Sequence, residues 1–399
     1  MKQQKSVPEW HGLEEKDKKT PYQNAVLGFR NYWYPIAESK LVRVRPIRRV
    51  ILGDPIALFR RNGNVFAVID ECPHRGARMS LGKNEFPGTS TIACRFHGWV
   101  FDVDQGGKCV GALTDGIDSA VVGKARLRLF PVQELKGIVW IWMGSGSPVP
   151  IEEDVPNLLL RKDTVVKVRE AQVYGNWRYH AEGGLGNHAA MLHADAIGRL
   201  FRRQFGISGD RAVGNTLVTD EDGTFLATDQ QSGRRGVRSP QYYYPDLGNW
   251  PPQRLWRRVN NDLRKPILGK TRVAGTHLPG FLRIPNFPMI GSLYYEWYIA
   301  IDPTHYLYFQ VSAHWPKNPI SRIWTHLWYK FWAGPIHKGR FNNQDKAMIG
   351  AQTDFAQRYG ANRPTKLYRP DADPMDWIDM ANKYARGEAG TVPFPSSKK

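Results

Sequence analysis

Two short stretches, "CPHRG" at Cys72–Gly76 and "CRFHG" at Cys94–Gly98, each place one thiol and one imidazole within a single turn. They use two of the chain's three cysteines. No other feature constrains the fold as much, because two separate loops must bring soft donors to one place. Tetrahedral zinc accepts a Cys₂His₂ set and stands as the rival reading. A zinc finger, however, pairs cysteine with cysteine and histidine with histidine along the chain. Here each turn offers one of each.

Two turns of that kind grip one iron through sulfur and the other through nitrogen. That is the demand of a Rieske [2Fe-2S] centre, in which two imidazoles replace two thiolates on one iron. Gly76 and Gly98 suit tight loops folding over a cluster. The surroundings agree. From about Val50 to Met143 the text is β-like, in "RVILGDPIALFRR", "NVFAVID", "STIACRFHGWVFDV" and "KGIVWIWMG". Runs of β-branched and aromatic residues broken by Gly, Asn, Asp and Pro predict a small antiparallel sandwich. Cys109 belongs to neither turn and reads as a plain thiol.

With 399 residues the chain is long for one core, and "GSGSPVPIEEDVP" (Gly144–Pro156) marks a linker between two domains. The net charge of +19 admits nucleic acid, anionic lipid or an acidic protein as partner. No zinc-finger, helix-turn-helix or RNA-binding signature accompanies it, so no nucleic acid is expected. No apolar run reaches the length of a membrane span. The charged N-terminus does not read as a secretory signal, and three cysteines suit a reducing cytoplasm.

The second half mixes element types. "NWRYHAEGGLGNHAAMLHADAIGRLF" reads mostly as helix, and "GSLYYEWYIAIDPTHYLYFQVSAHW" as two strands about an Asp-Pro turn. "SRIWTHLWYKFW" and "NNQDKAMIGAQTDFAQRY" read as helices. The Trp/Phe stripe of the first predicts a buried face, with membrane-surface docking as the other reading. "TVPFPSSKK" looks frayed. His188, His193 and Asp345 are candidates for the two imidazoles and one carboxylate of a facial triad for non-heme Fe(II), which leaves positions open for dioxygen, although their spacing alone does not assign it. An i,i+5 pair sits about 140° apart on a regular helix, so the helix carrying both histidines has to be distorted.

At Cys72, His74, Cys94 and His97 the chain resembles the Rieske non-heme iron oxygenases. The likeness extends over nearly the whole chain through "LGFRNYWYPI", "CPHRGARMS", "FPVQELKGIVWIWMGSG", "NWRYHAEGG", "HYLYFQ" and "FNNQDKA". It is nearest to the carbazole 1,9a-dioxygenase-like oxygenases with one subunit type. The stretch 75–93 is slightly longer than the family usually shows. The family's His-x₄-His, followed much later by an acidic residue in a helix like "QDKAMIGAQ", matches His188, His193 and Asp345. It also places an Asp three residues before the first histidine as an electron bridge. Leu185 stands there in this chain, and Glu182, one turn back, is the candidate replacement. His180 and Asp195 are further candidates, with structural roles expected.

The resemblance implies an α+β chain. An N-terminal segment (1–26) precedes a β-sandwich Rieske domain (27–155) and a helix-grip-like catalytic domain with an antiparallel sheet (156–399). It implies a cytoplasmic homotrimer, no membrane, and electrons from NAD(P)H through a reductase and ferredoxin. O₂ would be used at the mononuclear iron to hydroxylate a hydrophobic aromatic substrate. Arg75, Arg78, Arg95 and "RVRPIRR" would attract an acidic donor. Ring or angular dioxygenation, monooxygenation, and an electron carrier without a working iron site are the readings left open. A pocket is expected around residues 200–205, 281–290 and 294–297.

Overall fold

A computed structural model describes residues 19–116, 118–183, 192, 215–220, 222–228, 274–285, 292–336, 341–360, 365–367 and 371–387. The first half holds β1 (Trp33–Glu38), β2 (Ile47–Ile51), β3 (Asp54–Arg61), β4 (Asn64–Ile69), β5 (Thr91–Ala93), β6 (Trp99–Asp102), β7 (Lys108–Ala112), β8 (Leu129–Phe130), β9 (Val132–Leu135) and β10 (Ile138–Trp142). They are antiparallel, as the sequence predicts, but divide among three small sheets ordered β1-β10-β9, β2-β3-β4-β8 and β5-β6-β7. Leu52-Gly53, Asn62-Gly63 and Lys136-Gly137 all have positive φ and close two-residue hairpins. Such turns match the right-handed twist of the flanking strands.

The second half is built on one antiparallel sheet of β11 (Val165–Tyr174), β12 (Asn215–Asp220), β13 (Gly223–Thr228), β14 (Gly275–His277), β15 (Phe281–Pro285), β16 (Ser292–Asp302) and β17 (His305–His314). Its order is β11-β17-β16-β15-β14-β13-β12. β16 and β17 form the hairpin expected about Asp302-Pro303, where the Asp302 carboxylate accepts from the Thr304 N–H at 2.7 Å. Residues Ser292–Ala300 of β16 are all buried, so this strand is covered on both faces.

Among the described residues, four helices of seven residues or more accompany the sheet: α1 (Trp177–Gly183), α2 (Pro319–Trp328), α3 (Asn342–Tyr359) and α4 (Ala372–Tyr384). Asn318 caps α2 by accepting from the Ser321 N–H at 2.8 Å, with Pro319 in the first turn. No described helix is long and apolar enough to cross a membrane.

Gly144–Pro156, read from sequence as a linker, is firmly anchored. Asp154 is buried, accepts from the Trp33 N–H at 2.8 Å and pairs with Arg386 from beyond α4. The two halves share an apolar core, with Trp140 edge-on to Trp297 at 5.5 Å. Arg49 also reaches Glu170 at 2.8 Å. The Trp/Phe stripe departs from expectation. Ile323, Trp324, Leu327, Phe331 and Trp332 face outward, because the inner face of this helix is made of Thr325, Tyr329 and Ala333.

Candidate redox and iron sites

The two Cys/His turns are built alike. The Cys72 N–H donates to the Ala77 carbonyl at 2.8 Å and the Cys94 N–H to the Trp99 carbonyl at 2.8 Å, each five residues on. The Gly76 N–H returns to the Cys72 carbonyl and the Gly98 N–H to the Cys94 carbonyl, four residues back. The glycines adopt φ of 69° and 68°, a left-handed conformation that side-chain-bearing residues resist. The same loop therefore occurs twice, with the histidine two residues after the cysteine in one copy and three in the other.

This geometry sorts the donors. Cys72 and Cys94 are buried on an apolar floor that includes Phe59, Met79, Ile92 and Phe101. Their thiols are in mutual contact, and burial followed by that contact pushes Cys72 up to about 11. His74 is exposed and His97 half-buried, with ring centroids 4.8 Å apart. Trp99 stacks on His74 at 4.9 Å, and the Thr114 hydroxyl donates to the His97 carbonyl at 2.9 Å. Paired sulfurs thus lie inside and paired imidazoles at the tip.

Among the described residues no three His, Cys, Asp or Glu side chains converge on a single metal ion. A two-iron cluster requires only two protein donors per iron, so this donor set fits it. Arg75, Arg78 and Arg95 are exposed around the tip. In the "RVRPIRR" segment, Arg48 faces Asp70 and Arg49 faces Glu170, which leaves Arg43 and Arg45 exposed toward solvent. Cys109 is fully buried, with its thiol 3.4 Å from the Gly111 carbonyl.

The candidate iron site is only partly within the described residues. His188, His193, Leu185 and Asp195 lie outside them, as do 200–205 and 286–290 of the expected pocket and the C-terminal stretch 391–399. Asp345 is buried in the first turn of α3. Near it lies a box of side chains that the motif search did not single out. Glu296 accepts from the Tyr298 hydroxyl at 2.8 Å and from Tyr308. The Tyr306 hydroxyl lies 2.6 Å from His180 Nδ1, and His180 stacks on Tyr298 at 4.1 Å.

Burial raises Glu296 to about 7, and the Asp345 charge adds to the rise against the hydrogen bonds of Tyr308 and Tyr298. Two carboxylates this deep and this close favour a cation beside them, so the donor chemistry fits a metal at Asp345. The signal was present in the sequence as a lone Glu in the apolar run "LYYEWY". Glu182, half-buried on α1, accepts from Tyr22 near the N-terminal end of the described chain, and Arg178 lies over the Tyr22 ring at 4.6 Å. His180 is buried.

Residues 32–116 match the Rieske [2Fe-2S] domain and residues 142–388 the homotrimeric ring hydroxylase family. The chain belongs to that family: it is a Rieske-type aromatic-ring-hydroxylating oxygenase, a homotrimer that uses a [2Fe-2S] cluster, a mononuclear iron and O₂. In particular it is similar to the terminal oxygenase component of carbazole 1,9a-dioxygenase. It is 30% identical to the Sphingomonas sp. protein over 381 residues, covering 92% of this chain and 94% of that one. To the Metapseudomonas resinovorans protein it is 29% identical, with the same coverage. The solved terminal oxygenase from Novosphingobium sp. KA1 superposes with a TM-score of 0.74 at 25% identity, covering 92% of this chain and 96% of that chain.

Proposed function

We propose that this chain takes electrons from an acidic ferredoxin at the Cys72/His74/Cys94/His97 tip and uses them to hydroxylate a hydrophobic aromatic molecule, by ring or angular dioxygenation, in the cytoplasm. The paired thiols and paired imidazoles of the duplicated loop carry this reading. A solved complex of the carbazole oxygenase with ferredoxin supports the class of donor. The working division is a Rieske domain over 27–155 and a catalytic domain over 156–399, with His188, His193 and Asp345 as iron ligands.

When bound, the cluster supplies one-electron transfer and the iron supplies O₂ activation. The chain's own residues do the rest. Cys72 and Cys94 would hold one iron as thiolates, and His74 and His97 at the exposed tip would hold the other. Trp99 fixes the His74 ring plane. Asp345 is oriented by the first turn of α3, with the Glu296 tyrosine box behind it, where bulk water is excluded. Glu182 stands in for the bridging carboxylate absent at Leu185.

Iron and acid-labile sulfide per chain decide the matter. Protein purified without oxygen should hold about three irons and two sulfides, and Asp345→Ala about two of each, with product formation lost. Two irons in both proteins would leave an electron carrier and no oxygenase.

A further inference from the structure

The helix from Pro319 to Trp328, continued by a wider turn over Tyr329–Ala333, is amphipathic with its large apolar face outward. Ile320 is 80% exposed, Phe331 67%, Ile323 62% and Trp324 57%. Trp324, Trp328 and Trp332 follow one another along the helix with ring centroids 6.1 and 5.7 Å apart. The face toward the protein is narrow and small: Thr325 and Ala333 are buried, and Tyr329 lies against Ser312 of β17. A contiguous apolar face of this kind needs a partner.

Charge selects the partner. From Pro303 to Gln344 the sequence contains no acidic residue, while Lys317, Arg322, Lys330, Lys338 and Arg340 fall within it. Beside the helix a groove of about 770 Å³ is lined by Lys40, Lys136, Lys167, His326 and Lys330, with Glu38 as its acidic member. Glu38 pairs with Lys40. Asp163 pairs with Arg161 at 2.6 Å and also acts on Lys136. Lys167 Nζ donates to His326 Nδ1 at 2.6 Å, and burial together with Lys167 and Arg322 pushes His326 down, so the imidazole there is neutral. Exposed Trp, Ile and Phe flanked by an excess of Lys and Arg is the composition of a helix that lies in the interface of an anionic bilayer. The same helix on a second copy carries the same lysines and arginines, so it is a poorer complement to this groove.

We propose that this oxygenase docks peripherally on anionic phospholipid, with Ile320, Ile323, Trp324, Phe331 and Trp332 entering the headgroup layer and the lysine groove holding lipid phosphates. Lying on a surface requires no spanning helix, and it would place the enzyme where hydrophobic aromatic molecules concentrate. The iron reading of the catalytic domain does not enter this proposal.

The test is sedimentation of the metal-loaded, full-length protein with phosphatidylcholine vesicles, alone or with about 40% phosphatidylglycerol, at about 0.05 M and about 0.5 M salt. Wild type should pellet with the anionic vesicles at low salt, with a blue shift in tryptophan emission, and much less with neutral vesicles or at high salt. The triple variant Ile323→Ser/Trp324→Ser/Phe331→Ser should lose about 10-fold or more of that binding while keeping cluster absorption and oligomer size. Lys136→Glu/Lys330→Glu should weaken only the anionic component. Wild type that stays in the supernatant with both vesicle types would overturn the proposal, as would a triple variant that binds like wild type. So would a triple variant that falls to a smaller oligomer, since the helix would then be a contact between copies of the chain.

Discussion

The cluster tip and the candidate iron site stand at opposite extremes of the molecule's design. The tip is local: four donors within one short stretch, two copies of one loop, histidines outside and sulfurs inside. The surroundings of the candidate iron ligand Asp345 are assembled from distant pieces, with Asp345 on α3, His180 on α1 and Glu296, Tyr306 and Tyr308 on β16 and β17. Glu296 is buried in a box of tyrosines. The contrast follows from the tasks. A group that receives electrons from another protein must be reachable, whereas oxygen chemistry requires a site from which water is kept away.

The largest expected effect tests the connection between the two regions. Glu182→Gln should slow product formation by about 10- to 100-fold, the range for residues that support a metal site from outside. Cluster reduction by the donor should be unchanged, and stopped-flow reduction set beside turnover separates the two. Equal rates in variant and wild type would remove Glu182 from the electron path.

The next breaks the symmetry of the two loops. A Cβ at Gly76 meets nothing within 4 Å, whereas one at Gly98 would lie 2.7 Å from the Leu113 Cβ. Gly76→Ala should therefore cost only the left-handed backbone penalty, about 1–2 kcal/mol. Gly98→Ala should cost more, because Leu113 or the loop must shift. Denaturant midpoints and cluster absorption measure both.

A third effect belongs to the buried region alone. Glu296 stands near 7 when folded against an ordinary 4.5. The folded state holds that proton more tightly, so its stabilising contribution is full below about 4.5 and lost as pH rises toward 7. Folding free energy should fall by ~1–3 kcal/mol across this window, and Glu296→Gln should flatten the fall. A wild-type profile with the slope of the variant would mean that Glu296 stays ionised.

The smallest effect belongs to the tip. Arg75, Arg78 and Arg95 are exposed, so the rate of cluster reduction by an acidic donor should fall several-fold between about 0.05 M and about 0.5 M salt. A flat salt dependence would show that these arginines do not steer the donor.

Much of this was legible from residues alone. The candidate cluster ligands stand out because each loop that carries them is continuous in sequence, and its Cys, His and Gly have few other reasons to recur together. The Asp302-Pro303 hairpin and α3 were readable for the same reason, since turn chemistry and helical periodicity are local. The Glu296 box was not read, because its partners meet only through the pairing of β16 with β17 and the approach of α1.

The Tyr22–Glu182 contact likewise joins residues 160 positions apart. The tryptophan helix is the sharpest case. Its period and composition were plain in the sequence, but a helical stripe does not state which way it faces. The sequence by itself determined the α+β Rieske-type oxygenase and offered its candidate donors, because those are written in contiguous motifs. Only the tertiary structure decided what surrounds Asp345 and which face of α2 meets solvent, because burial depends on what the rest of the chain brings alongside.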